Sequence, residues 1–218
     1  MSRNNYFKSR FVYDPSRDYV WKAIADYLQK YISLNSKVLD LGAGYCNFIN
    51  NIKARNKVAV DINKEVKKYA NSDVKIYICS CSNLKIFKDD SFDVVFASNL
   101  FEHLTKPELK KTIKEIKRVL KNKGLLLLIQ PNFRYAHKEY FDDYTHQTVF
   151  SHTSLPDFLH THGFVCKKVI PKFIPFSMKS RLKSFSFLIK PYLHLPYKPF
   201  AKQMLVVAEN IKPVKENK

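Results

Sequence analysis

The fold of this chain is decided by residues 38–48, VLDLGAGYCNF. The apolar run before Gly42 is typical of a buried strand, and a helical pattern begins at Asn47. Gly42 and Gly44 lie in the turn between them, although the chain has only four glycines in 218 residues, where average usage would give about fifteen. Such sparing use indicates backbone that needs a positive φ or a close approach. We therefore predict a strand–loop–helix unit whose loop N–H groups face a ligand.

Two carboxylates stand beside this loop, at Asp40 and at Asp61, which ends the next predicted strand. Asn47 occupies the place where a dinucleotide-binding loop has its third glycine, which argues against NAD. A carboxylate at the tip of the second strand can accept hydrogen bonds from both ribose hydroxyls. Asp40 suits a cationic group better than a pyrophosphate. These groups fit a ligand with a ribose, an ammonium group and no phosphate, and the alternative is an ordinary turn with incidental acids.

Strand and helix patterns alternate along the rest of the chain. Apolar runs predict strands at 37–41, 57–61, 74–79, 93–98, 124–130, 164–170 and 203–209, and helical patterns cover 16–31, 47–54, 65–71, 107–120 and 154–162. Continuous apolar strands separated by helices predict a mainly parallel sheet with helices on both faces. We expect one α/β domain with a helical cap (1–35), a cofactor-binding core (36–169), an aromatic and basic insertion (170–202) and a last strand (203–210).

Composition narrows the class of protein. The net charge of +19 favours nucleic acid, anionic lipid or acidic glycans as partners, and charge alone does not choose among them. Apolar runs such as LLLLI are far shorter than the ~20 residues of a membrane span. The first residues, MSRNNYFKSRF, have no apolar signal core, so we expect a cytoplasmic location. The four cysteines include one C-x-C pair, and we expect buried free thiols.

Four motifs follow one another in the chain, namely VLDLGAGYCNF, VAVDIN, DDSFDVVFASNLFEHL and RVLKNKGLLLLI. Together they resemble the class I S-adenosylmethionine-dependent methyltransferases, most closely the methyltransferase type 11-like group. The resemblance runs from about Lys37 to Gly163, with Asn122 and Lys123 in place of the usual Pro and Gly. It implies a Rossmann-like fold with a seven-stranded sheet, in which the last strand, QMLVVAE, lies antiparallel beside the fifth.

The resemblance also implies a set of cofactor-binding residues for S-adenosylmethionine. Asp61 would bind the ribose, Asn99 would face the transferred methyl group, and the region from Phe101 to His103 would line the methionine end. The family often has an Asp after the third strand that binds the adenine amino group, and here Ser80 or Asn83 would replace it, with the Cys81 backbone N–H. The full set is Asp40, Gly42, Gly44, Asp61, Ile62, Ser80, Cys81 and Asn99.

The methyl acceptor is expected at the loop after the fifth strand, QPNFRYAHKEYFDDYTHQTVFS. The loop concentrates chemistry-bearing side chains, namely Arg134, Tyr135, His137, Tyr140, Asp142, Asp143, Tyr144 and His146. A hydroxyl acceptor needs a base with a pKa near the working pH. We predict His146 as this base, oriented by Asp142 or Asp143, with His103 as the second candidate and no metal ligands. The alternative is a cluster that only closes the loop.

Acids, aromatics and histidines together suit hydroxylated substrates, and the end of this loop is similar to the insert of methyltransferases that act on sugars and surface-glycan intermediates. We therefore predict O-methylation of a sugar or surface-glycan hydroxyl by a monomeric enzyme. A nucleic-acid methyltransferase is the first alternative, but the tip of the fourth strand, NLFE, lacks the N/D-P-P-aromatic motif of amine methylation, and no Pro-Cys pair is present. A non-catalytic binding module is the second.

The insertion, residues 170–202, alternates aromatic and basic residues between five prolines. Proline at this density prevents one long helix. Rings and cations in short segments fit a peripheral contact with anionic membranes, at the inner face of the membrane. The alternative is a lid over the acceptor pocket. Either arrangement would place the segment beside a glycan or glycolipid acceptor.

Overall fold

The computed structural model describes residues 13–175 and 188–213. Its strands are β1 (Lys37–Leu41), β2 (Asn56–Asp61), β3 (Val74–Ile78), β4 (Phe92–Ser98), β5 (Leu120–Pro131), β6 (Phe164–Pro175) and β7 (Ala201–Asn210). Its α-helices are α1 (Ser16–Leu28), α2 (Asn47–Asn51), α3 (Lys106–Val119), α4 (Phe133–Ala136), α5 (Ser154–Thr161) and α6 (Ile189–His194). Short 3₁₀ helices lie at Gln29–Tyr31, Lys64–Lys68, Phe101–His103 and Tyr140–Asp142.

The strands form one seven-stranded sheet in the order β3-β2-β1-β4-β5-β7-β6. The first five pair in parallel, whereas β7 runs antiparallel to both β5 and β6. This confirms the mainly parallel sheet and the antiparallel last strand beside the fifth. The strand order reverses between β1 and β4, and in open α/β sheets ligands bind at the carboxyl ends of the strands at such a point.

Helices cover both faces of the sheet because successive strand side chains point to opposite sides. On one face, Leu39 packs with the apolar stripes of α3 and α5. On the other face, Val38 packs with α1 and α2. The predicted amphipathic helix at 16–31 is therefore present, with Ile24 and Leu28 buried, and it ends in a 3₁₀ turn.

The fourth and fifth strands are joined by α3, which has a clear start signal. The Thr105 hydroxyl accepts from the Glu108 N–H, and the Glu108 carboxylate accepts from the Thr105 N–H, which forms a capping box. The next strand, β5, begins at Leu120 rather than at Gly124 as predicted. A Cβ on Gly124 would lie 3.1 Å from the Asp93 carbonyl oxygen, so glycine permits a close approach at the irregular register between β4 and β5.

The predicted boundaries of the insertion need correction. Strand β6 continues to Pro175 and β7 already begins at Ala201, and α6 lies between them. Prolines are tolerated in β6 because it is an edge strand, where a missing N–H breaks no ladder bond on the solvent side. Phe173 and Leu193 are buried against the face that α1 covers. Residues 176–187 lie outside the described part, so the predicted membrane contact or lid falls partly beyond it.

Within the described ranges, none of the helices combines the length and the apolar character that a membrane crossing would need.

Candidate functional site

The glycine loop lies between the ends of three neighbouring strands. Gly42 and Gly44 have φ values of 74° and 54°, which L side chains rarely adopt. The Gly42 N–H donates to the Val60 carbonyl over 2.8 Å, which holds the loop against the end of β2. A Cβ on Gly42 would lie 3.1 Å from Leu100 Cδ1. The loop is thus packed tightly between β2 and the residues that follow β4.

Asp61 joins the glycine loop to the end of β2. Its Oδ2 accepts from the Gly44 N–H over 2.8 Å, and its Oδ1 accepts from the Asn63 N–H over 2.8 Å. Burial raises the pKa of Asp61, and these N–H groups oppose the rise. Each carboxylate oxygen has a second lone pair, so both can still accept from a ligand hydroxyl. The two motifs that the sequence placed nineteen residues apart form one site.

Asp40 lies beneath the loop and is only 3% exposed. Burial raises the pKa of its carboxyl group to about 8, the negative charge of Asp61 adds to this, and the backbone N–H of Ile49 opposes it. Two acids in one buried site repel each other when both are ionised. A cationic group of a ligand would remove this repulsion, which fits the ligand predicted from the sequence.

The remaining predicted cofactor residues line the same edge of the sheet. Ile62 is 47% exposed at the tip of β2. The turn after β3 is held by the Asn83 N–H, which donates to the Ser80 carbonyl. The Cys81 thiol accepts a hydrogen bond from the Thr112 hydroxyl of α3. Because the thiol is engaged there, the Cys81 backbone N–H is the group that we predict to contact the adenine. Asn99, with φ 48°, caps β4, where its N–H donates to a carbonyl of β5.

Three tyrosines pack beside the glycine loop, in a cluster that no sequence pattern predicts. The rings of Tyr45 and Tyr69 have centroids 4.6 Å apart, and Tyr13 lies 5.2 Å and 5.3 Å from them. The Tyr13 hydroxyl donates to Asp18, which also accepts from the side chain of Asn47 at the start of α2. The start of α1 is thereby tied to the loop.

The predicted acceptor side centres on Glu102, His103 and His146, which the fold brings together. One potential ligand atom from each lies within 4.8 Å of the others, and the two imidazole centroids are 4.8 Å apart. Hydrogen bonds hold loop residues 140–148 against the Phe101–His103 turn. The Thr148 hydroxyl donates to the Leu104 carbonyl over 2.6 Å, and the backbone N–H of Gln147 donates to the Glu102 carbonyl.

His146 is buried, and its Nδ1–H donates to the Tyr140 carbonyl over 2.6 Å. Burial lowers the pKa of this imidazole, while the Tyr140 carbonyl and the charge of Asp143 act in the opposite direction. The ring is therefore neutral at pH 7. The expected orientation by Asp142 or Asp143 needs correction, because the Tyr140 carbonyl orients the ring, Asp142 is exposed, and Asp143 acts through its charge.

Asp143 instead orients His103 through Thr145. The Thr145 hydroxyl donates to Asp143 Oδ1 over 2.6 Å, so the same hydroxyl accepts from the His103 Nδ1–H over 2.8 Å. Burial lowers the pKa of His103 to about 4, and the neighbouring His146 contributes to this. Both imidazoles therefore carry their proton on Nδ1 and are neutral.

Glu102 is 1% exposed, and neither of its carboxylate oxygens has a hydrogen-bond partner among the described residues. Burial raises the pKa of the Glu102 carboxyl group to about 8. The Glu102 backbone N–H lowers this pKa, and the negative charge of Asp143 raises it further. An unpartnered buried carboxyl group is costly, so this position is a strong candidate for a ligand contact. The sequence predicts Glu102 only as part of the lining of the methionine end.

Other residues of the predicted acceptor loop have different surroundings. Tyr135 stacks on His152 at 5.8 Å, and the Lys172 ammonium lies over the Tyr135 ring. Phe141 and Tyr144 are 59% and 69% exposed, which leaves two aromatic rings on the surface of the loop that carries His146. The predicted loop thus divides into a buried polar cluster and an aromatic surface.

The family model for the methyltransferase domain matches residues 39–128. This stretch runs from β1 into β5 and contains every predicted cofactor residue. This match identifies a methyltransferase domain in residues 39–128, and the four motifs there resemble the class I S-adenosylmethionine-dependent group. The two buried acids, the tight glycine loop and the place of Asp61 at the end of β2 fit S-adenosylmethionine as the cofactor of such a domain.

Known proteins similar to this methyltransferase agree with the fold. An uncharacterized protein of Methanocaldococcus jannaschii is 37% identical over 98 residues, which are 44% of this chain and 40% of that protein. The chain therefore spans less than half the length of this relative. A "SAM dependent methyltransferase from Archaeoglobus fulgidus" matches with a TM-score of 0.68 and 19% identity, over 95% of this chain and all of that one.

A third similar protein comes from a complex that contains the Trm112 methyltransferase activator of Haloferax volcanii and a protein assigned as a methyltransferase. It matches with a TM-score of 0.74 and 16% identity, over 99% of this chain and 100% of the other. At this level of identity the similarity concerns the fold. The family model and these structures together confirm the class I architecture expected from the four motifs.

Proposed function

We propose that this methyltransferase methylates a hydroxyl group of a sugar or a surface-glycan intermediate. The observation that carries the proposal is the cluster that Glu102 and His103, just after β4, form with His146 from the loop after β5. A hydroxyl nucleophile must lose its proton, and this cluster supplies neutral imidazoles for that purpose. S-adenosylmethionine supplies the methyl group, whose carbon forms a bond to the acceptor oxygen while the carbon–sulfur bond breaks and its electron pair stays on sulfur.

The cofactor residues have distinct proposed roles. Asp61 binds the ribose hydroxyls, and Asp40 attracts the ammonium group of the methionine end. Ser80 or Asn83, with the Cys81 N–H, binds the adenine edge, and the exposed side chain of Ile62 covers the ring. Asn99 directly follows β4 and faces the transferred methyl group.

His146 is the proposed base in the protein without further ligands. Its Nδ1–H is fixed on the Tyr140 carbonyl, so Nε2 is the atom that takes the hydroxyl proton. The lowered pKa keeps the ring in its neutral, proton-accepting form at pH 7. His103 and Asp143 are positioning residues, connected through Thr145.

Two exposed aromatic rings support a carbohydrate acceptor. Phe141 and Tyr144 present large apolar faces to solvent beside the cluster. Sugars bind by stacking their apolar faces on such rings, while carboxylates such as the exposed Asp142 accept hydrogen bonds from sugar hydroxyl groups. This combination is less suited to a purely apolar acceptor.

The test is incubation with radiolabelled S-adenosylmethionine and a cell extract separated into nucleotide-sugar, glycolipid and RNA fractions. We expect label in a sugar-containing fraction, in a form that survives mild base as a methyl ether does. The His146→Ala variant should lose the label transfer while it still binds the cofactor. Label confined to RNA, or to an amine of any acceptor, would contradict the proposal.

A nucleic-acid or protein acceptor is the second candidate, and two observations favour it. The net charge is +19, and one protein of similar fold was solved with the Trm112 methyltransferase activator. Binding of RNA that vanishes at ordinary salt would indicate charge attraction alone. Salt-resistant RNA binding together with RNA methylation would establish this alternative.

Peripheral contact with an anionic membrane also remains a proposal. Within the insertion, Tyr197 and Phe200 are exposed, while Lys190 forms an ion pair with Asp26 of α1. The exposed rings favour an interfacial contact, and the ion pair favours a lid that packs on the domain.

A further inference from the structure

We propose that Glu102, His103 and His146 together bind one divalent metal ion on the acceptor side of the cleft. The donor set is one carboxylate and two imidazoles, which suits divalent transition metals. The inference deepens the proposed function and rests on it only for the role of the ion. Binding of the ion can be tested without acceptor or cofactor.

The first argument is the spacing of the ligand atoms. One potential ligand atom from each side chain lies within 4.8 Å of the others. Among the described residues, these three form the group of histidine, cysteine and acidic side chains that has this spacing. Two ligands on opposite sides of an ion, at about 2.1 Å each, are about 4.2 Å apart. Small side-chain rotations would therefore bring all three onto one ion.

The second argument is the carboxylate itself. Glu102 is 1% exposed and has no hydrogen-bond partner for either oxygen within the described part of the chain. Native proteins rarely leave a buried polar group unsatisfied, and binding of an ion is one of the established reasons for such a group. A cation at this place would compensate the buried negative charge and satisfy both oxygens.

The third argument is the support behind each imidazole. Metal-bound histidines usually donate their other N–H to a carbonyl or a carboxylate, which fixes the tautomer and the ring. His146 donates through Nδ1 to the Tyr140 carbonyl. His103 donates through Nδ1 to the Thr145 hydroxyl, which donates in turn to Asp143. In both rings the metal ligand would be Nε2.

An ion at this site would change how the acceptor hydroxyl is activated. A cation held by Glu102, His103 and His146 would lower the pKa of a hydroxyl group that it coordinates, so that the group could lose its proton to solvent. His146 is then a ligand, and the ion performs the task that the imidazole performs without it. The electron balance of the transfer is unchanged, because the methyl–sulfur electron pair still remains on sulfur.

The test is a titration of Mn²⁺ with the wild-type chain, followed by the electron paramagnetic resonance signal of the free aqueous ion. Mn²⁺ prefers oxygen and nitrogen ligands over thiols, so the free cysteines interfere little. We expect one bound ion per chain. The variants Glu102→Gln and His146→Ala should each bind at least about tenfold more weakly. The control His160→Ala, which changes an exposed histidine of α5, should bind as the wild type does.

Circular dichroism checks that each variant is folded, and His103→Ala replaces any variant that is not. A wild-type chain in excess that leaves the Mn²⁺ signal unchanged would overturn the inference. So would equal binding by the wild type and all folded cluster variants. If binding fails but sugar methylation is observed, the proposed function stands with His146 as base. If one ion binds but no hydroxyl is methylated, the metal site stands and the proposed function fails.

Discussion

The buried carboxyl group of Asp40 gives a prediction in which stability and cofactor binding change in opposite directions. We expect Asp40→Asn to stabilise the cofactor-free protein at neutral pH and to weaken binding of S-adenosylmethionine. Asparagine keeps an oxygen that accepts from the Ile49 N–H, but it carries no charge. The destabilising effect of a buried acid therefore disappears together with its attraction for an ammonium group.

The magnitude follows from the raised pKa. In the unfolded chain the Asp40 carboxyl group ionises near 3.8, whereas in the folded chain it keeps its proton up to about 8. Its contribution therefore destabilises the fold increasingly as the pH rises from about 4 to about 8. At roughly 1.4 kcal/mol per pKa unit, the limit at pH 7 is about 4 kcal/mol. Relaxation of the site reduces such penalties, so we expect about 2 kcal/mol, or ~4–8 °C in Tm for a chain of this size.

The assay is thermal unfolding of both proteins between pH 5 and pH 8, without cofactor. The wild type should lose stability relative to Asp40→Asn as the pH rises. Asp93→Asn is the matched control. Burial alone would raise the pKa of Asp93, but hydrogen bonds from Lys121 and from the Lys37 N–H lower it, so its replacement should destabilise the fold. An Asp40→Asn variant that melts below the wild type at pH 8 would refute the reasoning.

Four other changes have defined outcomes. Asp61→Ala should weaken binding of S-adenosylmethionine by up to about 1.5–3 kcal/mol for each charge-assisted hydrogen bond lost, and an unchanged Kd in calorimetry would remove it from the ribose site. His146→Ala should lower turnover by ~10²–10⁴-fold with nearly unchanged cofactor affinity, and an unchanged rate would exclude it from the acceptor chemistry. Gly42→Ala should destabilise the protein by about 1–2 kcal/mol because of its positive φ and its contact with Leu100, whereas an unchanged melting curve would show that the loop adapts. Through its insertion (170–202), the protein should sediment with anionic vesicles at low salt but not at high salt, with a binding free energy of ~1 kcal/mol per basic residue near the surface. Equal partitioning onto neutral vesicles would support the lid instead.

The sheet and the cofactor loop were predictable because their signals are local. The strand predicted at residues 37–41 has the same limits in the structure, and β2 begins only one residue before its predicted start. A run of apolar residues followed by glycines specifies a buried strand and its turn without reference to the rest of the chain. The resemblance carried by four such motifs then predicted that the last strand lies antiparallel beside the fifth, as β7 does.

The acceptor cluster shows where prediction from sequence ends. His103 and Thr145 are 42 residues apart and form a hydrogen bond, and no local pattern reports that contact. For the same reason the Tyr140 carbonyl, rather than a carboxylate, was missed as the group that orients His146. Backbone carbonyls are present at every residue, so only the fold selects the one that acts.

Calorimetric titration of S-adenosylmethionine into the wild-type chain decides whether the glycine loop and its two acids form a cofactor site. We expect one binding site per chain, with S-adenosylhomocysteine competing for it. The absence of binding heat, together with no competition between the two molecules in an equilibrium dialysis, would contradict it.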